Sequence, residues 1–213
     1  APRAVTIASG GPPRAERTAH LFDCLTETER RRKSPLSAPH RVFPMSLADF
    51  TLRDAVETDL PAIVAIYNAT IAGRVVTADT EPVTIESRIP WFRAHNVHAR
   101  PLWVVLDGDR LCAWLSFNSF YGRPAYNPTA EVSIYVAESH RRRGLGRDLL
   151  QRAIAGASAC EIRTLLGFIW AHNAPSLRLF ATHGFERWGH LPRGAVLDGI
   201  ERDLIIVGRR VAP

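Results

Sequence analysis

The stretch TAEVSIYVAESHRRRGLGRDLL, residues 129–150, restricts the possible folds more than any other part of the chain. Val132-Ser133-Ile134-Tyr135-Val136 alternates as a strand does, and Ala137-Glu138-Ser139-His140 makes a short turn. Arg141-Arg142-Arg143-Gly144-Leu145-Gly146 follows, and a helical pattern opens at Arg147-Asp148-Leu149-Leu150. A strand that feeds a glycine turn into a helix N-terminus suits a phosphate, because the turn's N–H groups are free and the helix dipole is positive there. Glycine also lets the backbone approach an anion with no Cβ in the way. The pattern is not a dinucleotide fingerprint, because position 149 is Leu, and it is not a P-loop, because no GK[ST] follows. A tight turn with a solvated basic face is the competing reading.

The rest of the chain supplies strands and helices around this unit. Phe50-Thr51-Leu52-Arg53 alternates as a first strand. Thr58 is placed to cap a helix with Pro61 in its first turn, and Leu60, Ile63, Val64 and Tyr67 recur at helical spacing as far as Asn68. Thr84 caps a second helical segment, interrupted by Pro90. Leu102–Leu106 and Arg110–Phe117 read as strands joined at the hairpin turn Asp107-Gly108-Asp109. The helix after the 130–136 strand extends to about Cys160, and Thr164–Trp170 is a continuous apolar run, hence a buried central strand. Ala174–His183 is a short helix ended by Gly184, and Phe185–His190 and Leu204–Gly208 are closing strands around a turn at Asp198-Gly199. An antiparallel meander followed by strand–helix–strand predicts a single α/β domain over residues 47–213, with a mixed sheet and helices on both faces.

Charge and cysteine usage narrow the function classes. Residues 1–46 hold eight Arg/Lys against four Asp/Glu, which leaves 19 against 17 for the remainder. The basic excess therefore belongs mostly to this segment, which argues against nucleic-acid binding by the folded part. Its Pro, Ala, Arg, Ser and Thr content predicts a disordered or loosely packed N-terminal extension. Met45, the one methionine, is a candidate initiator where ordered patterning begins. The extension has no apolar centre of a signal peptide, and no run reaches the roughly 18 apolar residues of a membrane helix, so a cytoplasmic protein is expected. Cys24, Cys112 and Cys160 form no CxxC pair and the histidines no HExxH, so no metal site is expected.

The strand TAEVSIYV with RRRGLGRDLL resembles motif A of the GNAT superfamily of N-acetyltransferases, whose pattern is Q/R-x-x-G-x-G/A. Residues 169–185, IWAHNAPSLRLFATHGF, resemble motif B. Ile66-Tyr67-Asn68, Asp79-Thr80-Glu81-Pro82 and the closing Asp198-Gly199 with Asp203 are similar to one branch, the phosphinothricin and methionine sulfone/sulfoximine acetyltransferases. The resemblance covers about residues 50–210 and implies a GNAT-like fold, its mostly antiparallel sheet splayed at the centre. It implies acetyl-CoA as donor, with backbone groups of Ile134, Tyr135 and Val136 along the acetyl and pantetheine arm. The N–H groups of Arg142, Arg143, Gly144, Leu145, Gly146 and Arg147 would hold the pyrophosphate, and Asn173 would touch the cofactor from the next strand end.

Acetyl transfer needs a neutral amine, and a free amine is mostly protonated at neutral pH. A carboxylate can take that proton, and Glu131 falls where the resembled branch carries its glutamate base. Many family members reprotonate the thiolate with a tyrosine where this chain has Phe180, and His183 and Tyr135 lie nearby with buried or capping roles expected. The branch's phosphinothricin enzymes carry a histidine where this chain has Asp198, which points away from phosphinothricin itself. Phe120, Tyr121 and Arg123 precede Glu131 on a loop that could face the acceptor, the arginine pairing with an amino acid carboxylate; a loop folded on itself is the alternative. The resulting expectation is an N-acetyltransferase acting on a small amine, an amino acid or analogue, as a homodimer. Protein N-terminal or ribosomal-protein acetylation, and a non-catalytic acyl-CoA or nucleic-acid module, are the alternatives.

Overall fold

The computed structural model of the chain describes residues 49–211. The expected extension over 1–46, with Met45 and Cys24, lies outside them. The elements run β1 (Thr51–Asp54), α1 (Leu60–Asn68), α2 (Ile85–Arg93), β2 (Leu102–Asp107), β3 (Arg110–Ser119), β4 (Thr129–Val136), α3 (Leu145–Gly156), β5 (Thr164–Trp170), α4 (Ala174–Thr182), β6 (Glu186–Leu197) and β7 (Ile200–Arg210). All seven strands form one sheet in the order β1-β2-β3-β4-β5-β7-β6. Every neighbouring pair is antiparallel except β4 and β5.

That parallel pair is short. Thr129, Ala130 and Glu131 pair with Thr164, Leu165 and Leu166, and the pairing stops there. Beyond it β4 continues on β3 as far as Val136, while β5 continues on β7 as far as Trp170. The sheet therefore parts along Val132–Val136, leaving one backbone edge of β4 without a strand partner. An unpaired edge at the middle of a sheet offers N–H and C=O groups to an extended ligand.

Both faces of β4 are covered, which is why it is buried from Ala130 to Val136. Ala130, Val132, Ile134 and Val136 join one core with Leu145, Leu149 and Leu150 of α3 and Phe180 of α4. Tyr135 joins a second core with Ile63, Ile66 and Tyr67 of α1, Val104 of β2 and Trp114 of β3. The period of two sends alternate residues to opposite layers. On β5, Gly167 lets the first layer close. A Cβ there would stand 2.8 Å from the Phe180 ring and 3.1 Å from Val207.

The element boundaries depart from expectation where local context competes. Asp59, not Thr58, precedes α1, because residues Glu57–Asp59 form a 3₁₀ turn. The Asp59 carboxylate accepts from Arg53 at 2.6 and 2.8 Å and from the Val56 N–H at 2.8 Å. Those donors hold it below the usual carboxylate value, the Arg53 hydrogen bond foremost. Thr84 does cap α2, its Oγ1 accepting from the Ser87 N–H at 3.2 Å. Pro90 sits inside α2 without ending it, on the exposed side where solvent can satisfy the carbonyl that proline leaves without a donor. α3 begins two residues earlier than its side-chain pattern indicates, because Gly144 adopts the left-handed N-cap conformation. β6 and β7 extend through residues with no apolar alternation, since β6 is an edge strand with largely exposed side chains.

Candidate active site

The turn after β4 is shaped by backbone, not by its arginines. Residues Glu138–His140 make a 3₁₀ turn, then Arg142 and Gly144 take positive φ values of 63° and 89°. Alternating handedness of this kind gathers N–H groups into an anion-binding concavity. Gly144 is the N-cap of α3, so the N–H groups of Leu145, Gly146 and Arg147 have no intrahelical acceptor. Leu145 itself is buried in the core and contributes only its backbone. Arg141 turns back, its Nε donating to the Val136 carbonyl at 3.3 Å. Arg147 pairs with Asp148 at 2.7 Å. His140 ties the turn to the β2–β3 hairpin, its Nε2 lying 3.0 Å from Asp107 Oδ2.

Glu131 stands where β4 leaves β5. It is 5% exposed, with Asn118 opposite on β3 and Leu166 opposite on β5. Three ladder rows on this face run Trp114 with Tyr135, Ser116 with Ser133, and Asn118 with Glu131. Trp114 and Tyr135 stack at 4.2 Å between ring centroids. Ser133 Oγ donates to Glu131 Oε1 at 3.4 Å, Asn118 Nδ2 donates to Ser116 Oγ at 3.2 Å, and Trp91 Nε1 of α2 donates to Asn118 Oδ1 at 3.1 Å. A buried carboxylate beside hydroxyl and amide groups is costly to desolvate, and such a group suits proton transfer.

Over these rows lies a cleft floored by β3 and walled by α1 and α2. Its inner part, about 20 Å³, is lined by Tyr67, Arg88, Trp91, Trp114, Ser116 and Asn118 among others. A groove of about 450 Å³ continues from Arg88, Trp91 and Asn118 past His95, Arg100 and Ser119. Asp79 anchors the inner wall: its Oδ2 accepts from the Tyr67 hydroxyl at 2.5 Å and from Arg88 Nη2 at 3.1 Å. Burial, then the Asp79 contact, pushes the Tyr67 phenol up to about 12, so it stays a donor. Burial also pushes the Tyr135 phenol well above its ordinary value, and its hydroxyl has no partner among the described residues. Burial lowers His95, which keeps its ring neutral.

The other expected site residues fall in three places. Phe120 packs on Tyr121, Tyr126 and, at 6.4 Å, Phe168 of β5. Arg123 on that loop is exposed, 6.0 Å from the Tyr121 ring centroid, so the loop is partly folded on itself at the edge of the cleft's face. Asn173 is fully buried, its Oδ1 capping α4 through the Ser176 N–H at 3.2 Å and its Nδ2 donating to the Val75 carbonyl at 3.0 Å. Its side chain is thus spent on position at the end of β5. His183 closes α4, Nδ1 lying 2.8 Å from the Leu179 carbonyl. Asp198 pairs with Arg74 at 2.8 Å, tying the β6–β7 turn to the segment between α1 and α2. Arg88, Trp91 and Asn118 were not singled out from sequence. The available signal was Arg88 three residues before Trp91, a charge on the apolar side of a helix.

A mixed sheet that parts beside a glycine-capped helix start, with a buried carboxylate at the fork, is the architecture of an acyl-transfer enzyme with an elongated, anionic donor. Residues 50–185 match the model of the acetyltransferase (GNAT) family, and this chain belongs to that family. It is 55% identical over 163 residues to "Putative phosphinothricin acetyltransferase YwnH" of Bacillus subtilis, covering 76% of this chain and 99% of that one. It is 32% identical over 144 residues to an L-methionine sulfoximine/L-methionine sulfone acetyltransferase of Pseudomonas paraeruginosa, covering 67% and 84%. Among solved structures it resembles a phosphinothricin acetyltransferase from Sinorhizobium meliloti in complex with acetyl-CoA, with a TM-score of 0.72, 27% identity and coverage of 76% and 88%. Among the described residues no group of three metal-ligating side chains occurs, and no helix is long and apolar enough to cross a membrane.

Proposed function

We propose that the enzyme moves the acetyl group of acetyl-CoA to the amine of a small amino acid or amino acid analogue, of the methionine sulfone or sulfoximine kind, with Glu131 as general base. The observation that carries this reading is the place of Glu131: on the last paired row of β4, where the open strand edge begins, and across the ladder from Asn118, which lines the α1–α2 cleft. The donor set fits coenzyme A. The positive-φ turn and helix start suit a pyrophosphate, and the free edge of Ile134, Tyr135 and Val136 suits an amide-bearing arm. Arg142, Arg143, Gly144, Leu145, Gly146 and Arg147 hold the pyrophosphate through backbone N–H groups. Asn173 contacts the cofactor from the end of β5. The thioester supplies an acyl group ready for direct attack.

Glu131 takes the proton of the acceptor ammonium, leaving a neutral amine. N–H groups on the open edge donate to the acyl oxygen as charge builds there. Phe180, buried against Phe185, supplies no proton, and a thiolate leaves without a dedicated acid. Phe120, Tyr121 and Arg123 contact the acceptor at the rim. The enzyme acts as a cytoplasmic homodimer. The relatives named for phosphinothricin and methionine sulfone support an amino acid acceptor, and Asp198, committed to Arg74, supports one other than phosphinothricin.

The test is an amine panel with thiol detection: methionine sulfone, methionine sulfoximine, phosphinothricin, polyamines and peptide N-termini, each with acetyl-CoA. The sulfone and sulfoximine are expected to release CoASH fastest. Faster release with peptide N-termini would move the enzyme to protein acetylation.

A further inference from the structure

The inner cleft holds a cation that its own surroundings leave incompletely used. Arg88 is 7% exposed, and its guanidinium carbon sits 4.5 Å from the Tyr67 ring centroid and 6.0 Å from that of Trp91. A guanidinium carries five N–H donors, and a buried one needs acceptors for them. Here its one acceptor among the described residues is Asp79 Oδ2, reached by Nη2 at 3.1 Å. The same oxygen also takes the Tyr67 hydroxyl. Asp79 thus fixes the fork at a single corner without occupying it. The rest of the fork lines both the inner cleft and the outer groove.

The neighbours say which anion would complete it. Asn118, on the floor of the cleft that Arg88 walls, is directly across the ladder from Glu131. A ligand whose amine meets Glu131 therefore has its adjacent atoms beside Asn118 and Arg88. In an α-amino acid that adjacent group is a carboxylate, planar and able to accept two parallel N–H bonds from a guanidinium. The inner part at about 20 Å³ has room for little more than one water-sized group, so the body of the ligand lies in the groove. An internal peptide chain offers a neutral amide at that point, and a plain amine offers nothing.

We infer that Arg88, held by Asp79, is the carboxylate receptor of the acceptor site and selects free α-amino acids over amines and peptide N-termini. This rests on the proposed small-amino-acid acceptor and assigns Arg123 to the rim. None of the Arg88 nitrogens is among the buried polar atoms without a partner, so its remaining N–H groups are open to the cleft, where a ligand can supply acceptors.

Three acceptors separate the possibilities: methionine sulfone, its methyl ester and its decarboxylated amine. Wild-type enzyme is expected to favour the free acid about 100-fold in kcat/KM over both others, the scale of a buried charge-assisted pair. Arg88→Met is expected to abolish that preference, with the decarboxylated amine changed less than about threefold, the range left by losing packing alone. Calorimetry with CoASH present should show methionine sulfone binding lost in Arg88→Met and partly restored in Arg88→Lys. A variant that slows all three acceptors alike, or keeps the preference, overturns the assignment. If Arg88→Met does not fold, Arg88→Gln and the wild-type ester discrimination decide; an ester used as well as the acid also overturns it. Wild-type turnover of amino acids with the preference unmoved by Arg88 defeats only this inference, whereas turnover of no amino acid defeats the proposed function with it.

Discussion

On one face of β4, Ala130, Val132, Ile134 and Val136 meet the apolar side chains of α3 and α4; on the other, Glu131, Ser133 and Tyr135 meet α1 and α2. Both faces are buried to a similar degree. The first is a core of the ordinary kind, where each buried CH₂ contributes about 0.8 kcal/mol. The second buries a carboxylate, two serines and the Arg88 guanidinium, with half-buried Asn118 and Asp79 beside them, groups whose desolvation costs free energy that packing elsewhere must offset. One strand thus divides stability from chemistry by the parity of its residue numbers. The same comparison separates α3, which presents Leu149 and Leu150 to the sheet, from α2, which presents Arg88 and Trp91.

Substitutions can break that division from either side. The largest effect is expected from Glu131→Gln, which keeps the shape of the polar face and removes its proposed base. A drop in kcat of about 10²–10³-fold with CoA affinity nearly unchanged is expected; turnover at the normal rate would remove Glu131 from the mechanism. On the apolar face, Leu149→Ala should lower unfolding free energy by about 2–5 kcal/mol, read by denaturant titration. A loss below 1 kcal/mol there would mean that the two faces do not differ as described. The smallest effect concerns Tyr67, at the top of the polar face. Its folded-state value of about 12 lies above the unfolded value near 10. The neutral phenol therefore contributes stability in full below pH 10, and that contribution is lost as pH rises towards 12. Tyr67→Phe should cost about 1 kcal/mol at neutral pH and flatten stability between those two values. An unchanged alkaline slope would point to another titrating group.

Much of the fold was readable because its signals are local. β5 was placed from its apolar run to the residue, and Thr84 acts as the cap its position suggests. Gly184 ends α4 with φ of 74°. The edge strand β6 was underestimated, because with its side chains in solvent it needs no alternation. For the candidate site, the strand carrying Glu131 and the positive-φ turn that starts α3 were legible from one continuous segment, and the roles proposed for Glu131 and for Arg142 to Arg147 rest on that placement. Arg88 was not, because nothing within a helix reveals that Asp79 and Tyr67 will hold one corner of its guanidinium. Asn173 was marked by motif, and the packed structure adds that its side chain caps α4 and reaches the Val75 carbonyl.

By itself the sequence determined the family, the strand–turn–helix proposed to bind the pyrophosphate, and the candidate base at its head. These depend on residues close along the chain, on glycine's freedom at Gly144, and on the period of β4. The tertiary structure alone decided where β4 and β5 part, which face of β4 meets which helices, and that Arg88 lines the same cleft as Asn118, the ladder partner of Glu131. These depend on pairings between residues tens of positions apart, which hydrophobic periodicity does not encode and which only the packed sheet brings together.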